Sequence, residues 1–152
     1  MSQPADDEVE VLSGQAAGGI RWVVVSSGDD QDFYTLLRVY SGDEQVIAGS
    51  GFGGPKLPPG SWLAEWRGQT EGLPYFVMAR TAPAVTRVVA TTDTGTEVVL
   101  ELSEPVQRFG LRFAAAALPP GQAPMSIRAE QDGTVLEERP QRMPPRRFGR
   151  PG

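Results

Sequence analysis

The sequence contains no cysteine and no histidine. Without cysteine there is no disulfide, thiol nucleophile or thiolate ligand, and without histidine there is no imidazole acid–base catalyst and no common zinc ligand. Carboxylates are left as the main candidates for any hydrolytic chemistry. No window reaches the roughly 18 consecutive apolar residues of a membrane-spanning helix. The opening residues, Met1 to Glu10, lack the basic and apolar regions of a secretory leader. The expectation is a cytoplasmic chain with no membrane insertion, while an extracellular setting stays open.

Glycine and proline are abundant. Eighteen Gly and 14 Pro in 152 residues are too many for a helical bundle and fit turn-rich β structure. The clearest element is Ala84 to Leu102, where β-branched runs flank Asp93-Thr94-Gly95. A type I turn at Asp93-Thr94 with Gly95 in a G1 bulge pairs Thr92 with Thr96. The register then sets Ala90 opposite Val98, Val88 opposite Leu100 and Thr86 opposite Leu102 on one face. The other face sets Thr91 across from Glu97 and Arg87 across from Glu101.

Further strands are predicted over Ile20–Val25, Phe33–Tyr40, Gln45–Ala48, Ser61–Arg67, Leu73–Arg80, Phe109–Ala116, Met125–Glu130 and Thr134–Glu138. Gly42-Asp43 suggests a type II′ turn that places Val39 opposite Val46 and Leu37 opposite Ala48. Asp132-Gly133 suggests a type I′ turn that places Ala129 opposite Leu136 and Arg128 opposite Glu137. Residues 49–60, dense in Gly and Pro, read as a loop. Leu57-Pro-Pro-Gly60 and Leu118-Pro-Pro-Gly121 occupy matching places in a weak internal repeat.

The fold expectation is an all-β sandwich of about ten strands, immunoglobulin-like or built from two stacked meanders. It covers residues 19–138, with halves near 19–80 and 84–138. Residues 1–18 are expected to be a disordered arm, and residues 139–152 a disordered Arg/Pro-rich tail.

Candidate sites are sparse. Asp93-Thr94-Gly95 matches the aspartic-protease tripeptide, yet it sits at a hairpin tip with no second copy in the other half, so a carboxylate-only hydrolase is a remote alternative. Asp29, Asp30 and Asp32 offer oxygen ligands for Ca²⁺ but lack an EF-hand pattern, and a solvated loop is the simpler reading. The glycines at 49, 51, 53 and 54 lack the Lys-Ser/Thr of a phosphate loop. Trp22, Trp62 and Trp66 are candidates for an aromatic platform in a carbohydrate- or ligand-binding sandwich, although aromatics usually fill sandwich cores. No cofactor is expected.

Charge is unevenly placed. Residues 1–138 hold nine basic and all 19 acidic residues, a net of −10, and the last 14 residues hold five Arg and no acid. Arg142, Arg146, Arg147 and Arg150, with Phe148, form a candidate surface for an acidic protein partner. The acidic body argues against nucleic acid. Oligomeric state is not encoded legibly.

Several stretches together resemble small β domains of unknown function that recur in high-GC actinobacterial proteins, often as ectodomains of membrane proteins or lipoproteins. They are Ile20 to Val25, Gly51-Phe-Gly-Gly54, Leu73 to Val77, Ala84 to Val89 with Asp93-Thr-Gly95, and Ile127 to Leu136. The resemblance spans about Gly19 to Glu138 and implies a β fold without a catalytic motif. Such domains often carry cysteines near the glycine loop and a membrane anchor, and this sequence shows neither. The functional expectation is a non-enzymatic protein-binding or assembly module.

Overall fold

The structure is a computed structural model that describes residues 8–28, 33–70 and 72–140. It is all-β, with no helix among the described residues. The strands are β1 (Val9–Ala16), β2 (Ile20–Gly28), β3 (Phe33–Tyr40), β4 (Val46–Phe52), β5 (Leu63–Gly68), β6 (Phe76–Thr81), β7 (Arg87–Thr92), β8 (Glu97–Val99), β9 (Glu101–Leu102), β10 (Arg112–Ala117), β11 (Pro124–Gln131) and β12 (Thr134–Pro140). They form three antiparallel four-stranded sheets, ordered β1-β2-β3-β4, β5-β6-β10-β9 and β12-β11-β7-β8.

The second of these sheets lies in the middle. Along β6, Val77 and Ala79 pack into a core shared with Val88, Ala90, Ile127 and Ala129 of the third sheet. Phe76 and Met78 pack the opposite way, against Trp22, Val24, Leu37 and Val39 of the first. All six residues of β6 are buried, as are Phe113 to Ala116 of β10. A strand covered on both faces reads as a continuous apolar run instead of an alternating one. Ala114 and Ala116 face one neighbour and Ala115 the other, so small side chains let both layers come close. The sandwich therefore has three layers and twelve strands. Its middle sheet draws β5 and β6 from the first half of the chain and β9 and β10 from the second.

The central hairpin keeps its expected register as far as Leu100. Thr92 N–H donates to Thr96 O at 2.9 Å, Gly95 has φ +88°, Thr91 pairs with Glu97 and Ala90 with Val98. Leu100 N–H still donates to Val88 O. The expected pairs Arg87–Glu101 and Thr86–Leu102 do not form, because the strand crosses there into the middle sheet, where Glu101 and Leu102 pair with Ala115 and Ala114. Such a strand joins two sheets covalently at one edge.

Side chains tie the other edge of the same two sheets. Glu137 Oε1 on β12 accepts from Trp62 N–H at 2.6 Å and Leu63 N–H at 3.3 Å. Arg139 donates to Glu137 Oε2 (2.7 Å), Glu65 Oε1 (3.1 Å) and Ser61 Oγ (3.0 Å). Arg139 and Pro140 thus belong to β12, which corrects the expectation that the tail begins at Arg139.

Four other expectations change. Val9–Ala16, placed in a disordered arm, forms β1 because Val9, Val11, Leu12 and Ala16 pack inward over the aromatic and tryptophan-centred cores. The turn at Gly42-Asp43 is a three-residue loop with Glu44 at φ 62°. A bulge then pairs Val39 with Ala48 and leaves Leu37 opposite Ser50. Around Asp132 (φ 50°) and Gly133 (φ 88°) the type I′ turn forms, but a bulge shifts Ala129 to Glu137 and Arg128 to Glu138.

Residues 49–52 continue β4 instead of opening a loop. A Cβ on Gly51 would lie 2.1 Å from Thr35 O, so glycine is what allows this edge strand to sit on β3. The chain there curls over Arg80. Arg80, fully buried, donates from Nε to Thr35 Oγ1 (2.9 Å), from Nη1 to Pro55 O (3.0 Å) and from Nη2 to Phe52 O (2.8 Å). Its guanidinium lies 4.6 Å from the Phe33 ring centroid and 4.0 Å from that of Phe52. Burial lowers its pKa to about 10, so it remains charged at neutral pH.

Arg80→Lys keeps the charge and loses the planar fork, stranding carbonyls at 52 and 55. It should lower stability by about 2–4 kcal/mol, seen as a reduced denaturant midpoint with an unchanged m-value. At the seam, burial opposes the charge of Glu137, but the Trp62 N–H, Arg139 and the Leu63 N–H outweigh it and hold the carboxyl below its ordinary 4.5. A depressed carboxyl stabilises the fold above its unfolded-state value and loses that contribution as pH falls through the native one. Glu137→Gln should therefore cost about 1–2 kcal/mol at pH 7, with the gap to wild type closing as pH falls below about 4.5 in acid-titrated urea melts.

Candidate functional site

One end of the stack gathers the β1–β2 turn, the β5–β6 connection, Val98 of β8 and the loop after β10. Between them lies a trough of about 880 Å³, with Ile20, Leu73, Val98 and Leu118 in its walls and Gln15 and Gln69 at its rim. A side chamber of about 180 Å³ shares Gln69 and Leu73 and is floored by Trp66 and Phe76. A notch of about 220 Å³ beside Trp22 shares Gln15, Val98 and Ala117. The main volume falls within the range of pockets that enclose small ligands.

The walls are held from below. Pro119-Pro120-Gly121 makes a tight turn in which Gln122 N–H donates to Pro119 O at 3.1 Å and Gly121 has φ 78°. Leu57-Pro-Pro-Gly60 repeats that geometry, with Ser61 N–H donating to Pro58 O and Gly60 at φ 76°. The hairpin tip braces the trough loop. Asp93 N–H donates to Ala123 O (2.8 Å), and Asp93 Oδ1 accepts from Ala123 N–H (3.1 Å). Thr92 and Thr94 hydroxyls both donate to Gln122 Oε1, at 2.7 and 2.9 Å.

This brace is the role in which Asp93-Thr94-Gly95 is found. Asp93 is exposed on a turn, and its bonds serve a neighbouring loop. A carboxylate pair sharing a proton requires a second buried acid beside it. Among the described residues there is no cluster of three or more Asp or Glu suited to a metal. Asp29, Asp30 and Asp32 lie outside the described residues, as do Arg142, Arg146, Arg147, Phe148 and Arg150.

The three tryptophans separate. Trp22 is 1% exposed in the core between the first and middle sheets, Trp66 is half-buried there, and Trp62 is 36% exposed beside the seam. They do not form a platform. Two are taken up in covering glycines: a Cβ on Gly14 would lie 2.3 Å from Trp22 Cζ2, and one on Gly68 would lie 2.6 Å from Trp66 Cη2. Gly14 is the cross-strand partner of Trp22, so the ring lies flat on the neighbouring backbone. Trp22 Nε1 is buried with no acceptor among the described residues, a cost accepted for that packing.

The trough has no local signature in the sequence because its lining comes from four separated segments. The one hint is Leu118-Pro-Pro-Gly121, which in sequence marks a place in the weak internal repeat. No protein-family model, curated protein or solved structure matches this chain. What the fold and site define is a class: an all-β stack of three antiparallel sheets with an apolar trough at one end.

Gly14→Ala tests the tryptophan assignment. The added methyl must displace the Trp22 ring, so we expect a loss of about 1–3 kcal/mol and a red shift of tryptophan emission, read by fluorescence-monitored unfolding.

Proposed function

We propose that the protein is a non-enzymatic binding module whose trough receives an extended, apolar, proline-containing polypeptide segment. The observation that carries this reading is the chemistry of the lining. Among the described residues that form it, no side chain is titratable or nucleophilic, and Gln15 and Gln69 are the polar ones. A site built for proton transfer needs such groups within hydrogen-bond reach of a substrate. Apolar walls with two amide groups suit recognition, in which burial supplies affinity and a few polar groups fix orientation.

A polypeptide suits the shape. The trough adjoins the side chamber at Gln69 and Leu73 and the notch at Gln15, Val98 and Ala117, so three recesses lie side by side. Extended segments bind along such surfaces by seating alternate side chains, and polyproline-type segments do so at low entropic cost because they are already stiff. The adjoining surface belongs to a body that is acidic overall, which favours segments carrying positive charge beside their apolar anchors.

Leu73 lines both main chambers and is the residue to change. Titration of labelled proline-rich peptides into the protein, followed by fluorescence anisotropy, should give saturable binding. Leu73→Arg should weaken it about 30-fold, equivalent to ~2 kcal/mol at a central apolar contact, without altering the circular dichroism spectrum. Equal affinity in the two proteins would remove the trough from the account. Turnover in a hydrolase screen that is lost on Asp93→Ala would restore the enzymatic alternative.

A further inference from the structure

We propose that the resting occupant of the trough is the chain's own segment 141–152, which seats Met143 and Phe148 against the apolar walls and so acts as a competitive strap. This rests on the reading of the trough as a peptide-binding site and names the first segment to fill it.

The place where the described chain ends supports it. Pro140 pairs with Ser126, and Ser126 pairs with Thr91, so the end of β12 lies beside the hairpin tip that braces the trough loop. Arg139 reaches Glu65 on β5, and β5 continues to Gly68 and then Gln69 at the trough rim. Twelve residues follow Pro140. Fully extended they span about 40 Å, roughly twice the length of a six-residue strand such as β5.

The chemistry of the segment matches the site. Gln141-Arg-Met-Pro-Pro-Arg-Arg-Phe-Gly-Arg-Pro-Gly152 contains two large apolar side chains five residues apart, with Pro144 and Pro145 between them. Those prolines stiffen the spacer and reduce the entropy lost on docking. The four arginines would stay in solvent over a body whose residues 1–138 carry a net of −10. Long-range attraction then holds the strap near the trough, and apolar burial fixes its register. An outside segment must displace it, which makes the module's apparent affinity dependent on salt.

The absence of cysteine makes the test direct. Gln69→Cys in the full chain gives a unique thiol at the rim, and Thr134→Cys gives an exposed one on the far β-turn. Alkylation rates are measured with and without Met143→Asp/Phe148→Asp. A local concentration on the order of 1 mM acting on an interaction with Kd on the order of 0.1 mM protects about tenfold. The expected result is that the double substitution speeds alkylation at position 69 about tenfold, independently of protein concentration, and leaves position 134 unchanged. Unchanged rates at position 69 would overturn the strap, and a gain that depended on protein concentration would replace it with exchange between copies. A labelled peptide of sequence 139–152 separates the two levels of the argument. If the doubly substituted chain binds other proline-rich peptides but not this one, the strap fails and the trough reading stands. If it binds none of them, both fail.

Discussion

The fold depends on a buried cation. Arg80 projects from the most enclosed strand of the middle sheet into the layer above, where Thr35 Oγ1 and the carbonyl oxygens of Phe52 and Pro55 accept its protons. Phe33 and Phe52 cover its faces. Removing a guanidinium from water costs several kcal/mol, and neutral oxygens and ring faces return only part of that. The depressed pKa of about 10 expresses the remaining cost. In exchange, one side chain fixes a segment with little other means of order. Residues 49–55 are mostly glycine and bring one large apolar side chain, Phe52, to the core; the β3 ladder holds residues 49–52, and Arg80 gives the carbonyls of Phe52 and Pro55 a rigid donor where that ladder ends. Ser26 and Thr35 extend the same network across two strands through a 2.8 Å hydroxyl contact.

A doubly covered sheet sets the remaining terms. With layers on both sides, β6 and β10 need small residues, and the run Ala114-Ala-Ala116 provides them without the volume that would separate the sheets. The outer pair of sheets is then free to differ. One is joined to the middle by a strand that changes sheets at Leu100, and again by the Glu137–Arg139 group at the opposite edge. The other is held mainly by tryptophan packing and by Arg80. The layers are fastened along their lengths and edges, and the trough lies between the loops at one end of the stack.

Local chemistry was legible from the residues to the extent that it is local. Thr92 through Leu100 follow from one turn, and the placement of Gly95 is a consequence of its missing Cβ. The same logic fails beyond Leu100, where the choice between two sheets depends on β10, a partner found only after the chain has folded. The bulges at Val39/Tyr40 and Ala129/Glu130 are likewise set by neighbouring strands. Glu44 takes a left-handed conformation that a sequence rule would reserve for glycine, with its carboxylate on Arg21 at 2.6 Å. Counting glycines suggested a loop at 49–52, whereas the steric need of Gly51 shows a strand. Of the three tryptophans, Trp22 and Trp66 cover Gly14 and Gly68, and Trp62 stays exposed beside the seam. Of the trough, only the Leu-Pro-Pro-Gly loop left a mark in the sequence.

The way that loop is held argues that the trough is built and not left over. An unconstrained apolar loop at the end of a sandwich would fold inward to bury Leu118 and its neighbours, since each buried methylene gains about 0.8 kcal/mol. Here Leu118 does turn inward, donating its N–H to Tyr75 O, and is almost wholly buried. Pro119 and Pro120 cannot follow it. Their fixed φ and the tight turn closed at Gln122 hold them outward, and two threonine hydroxyls with Asp93 secure the far side. Polar contacts of the hairpin tip are thus used to keep an apolar surface open. Under the binding reading proposed above, an occupant meets walls already in place, so little of its binding energy is lost to ordering the receptor.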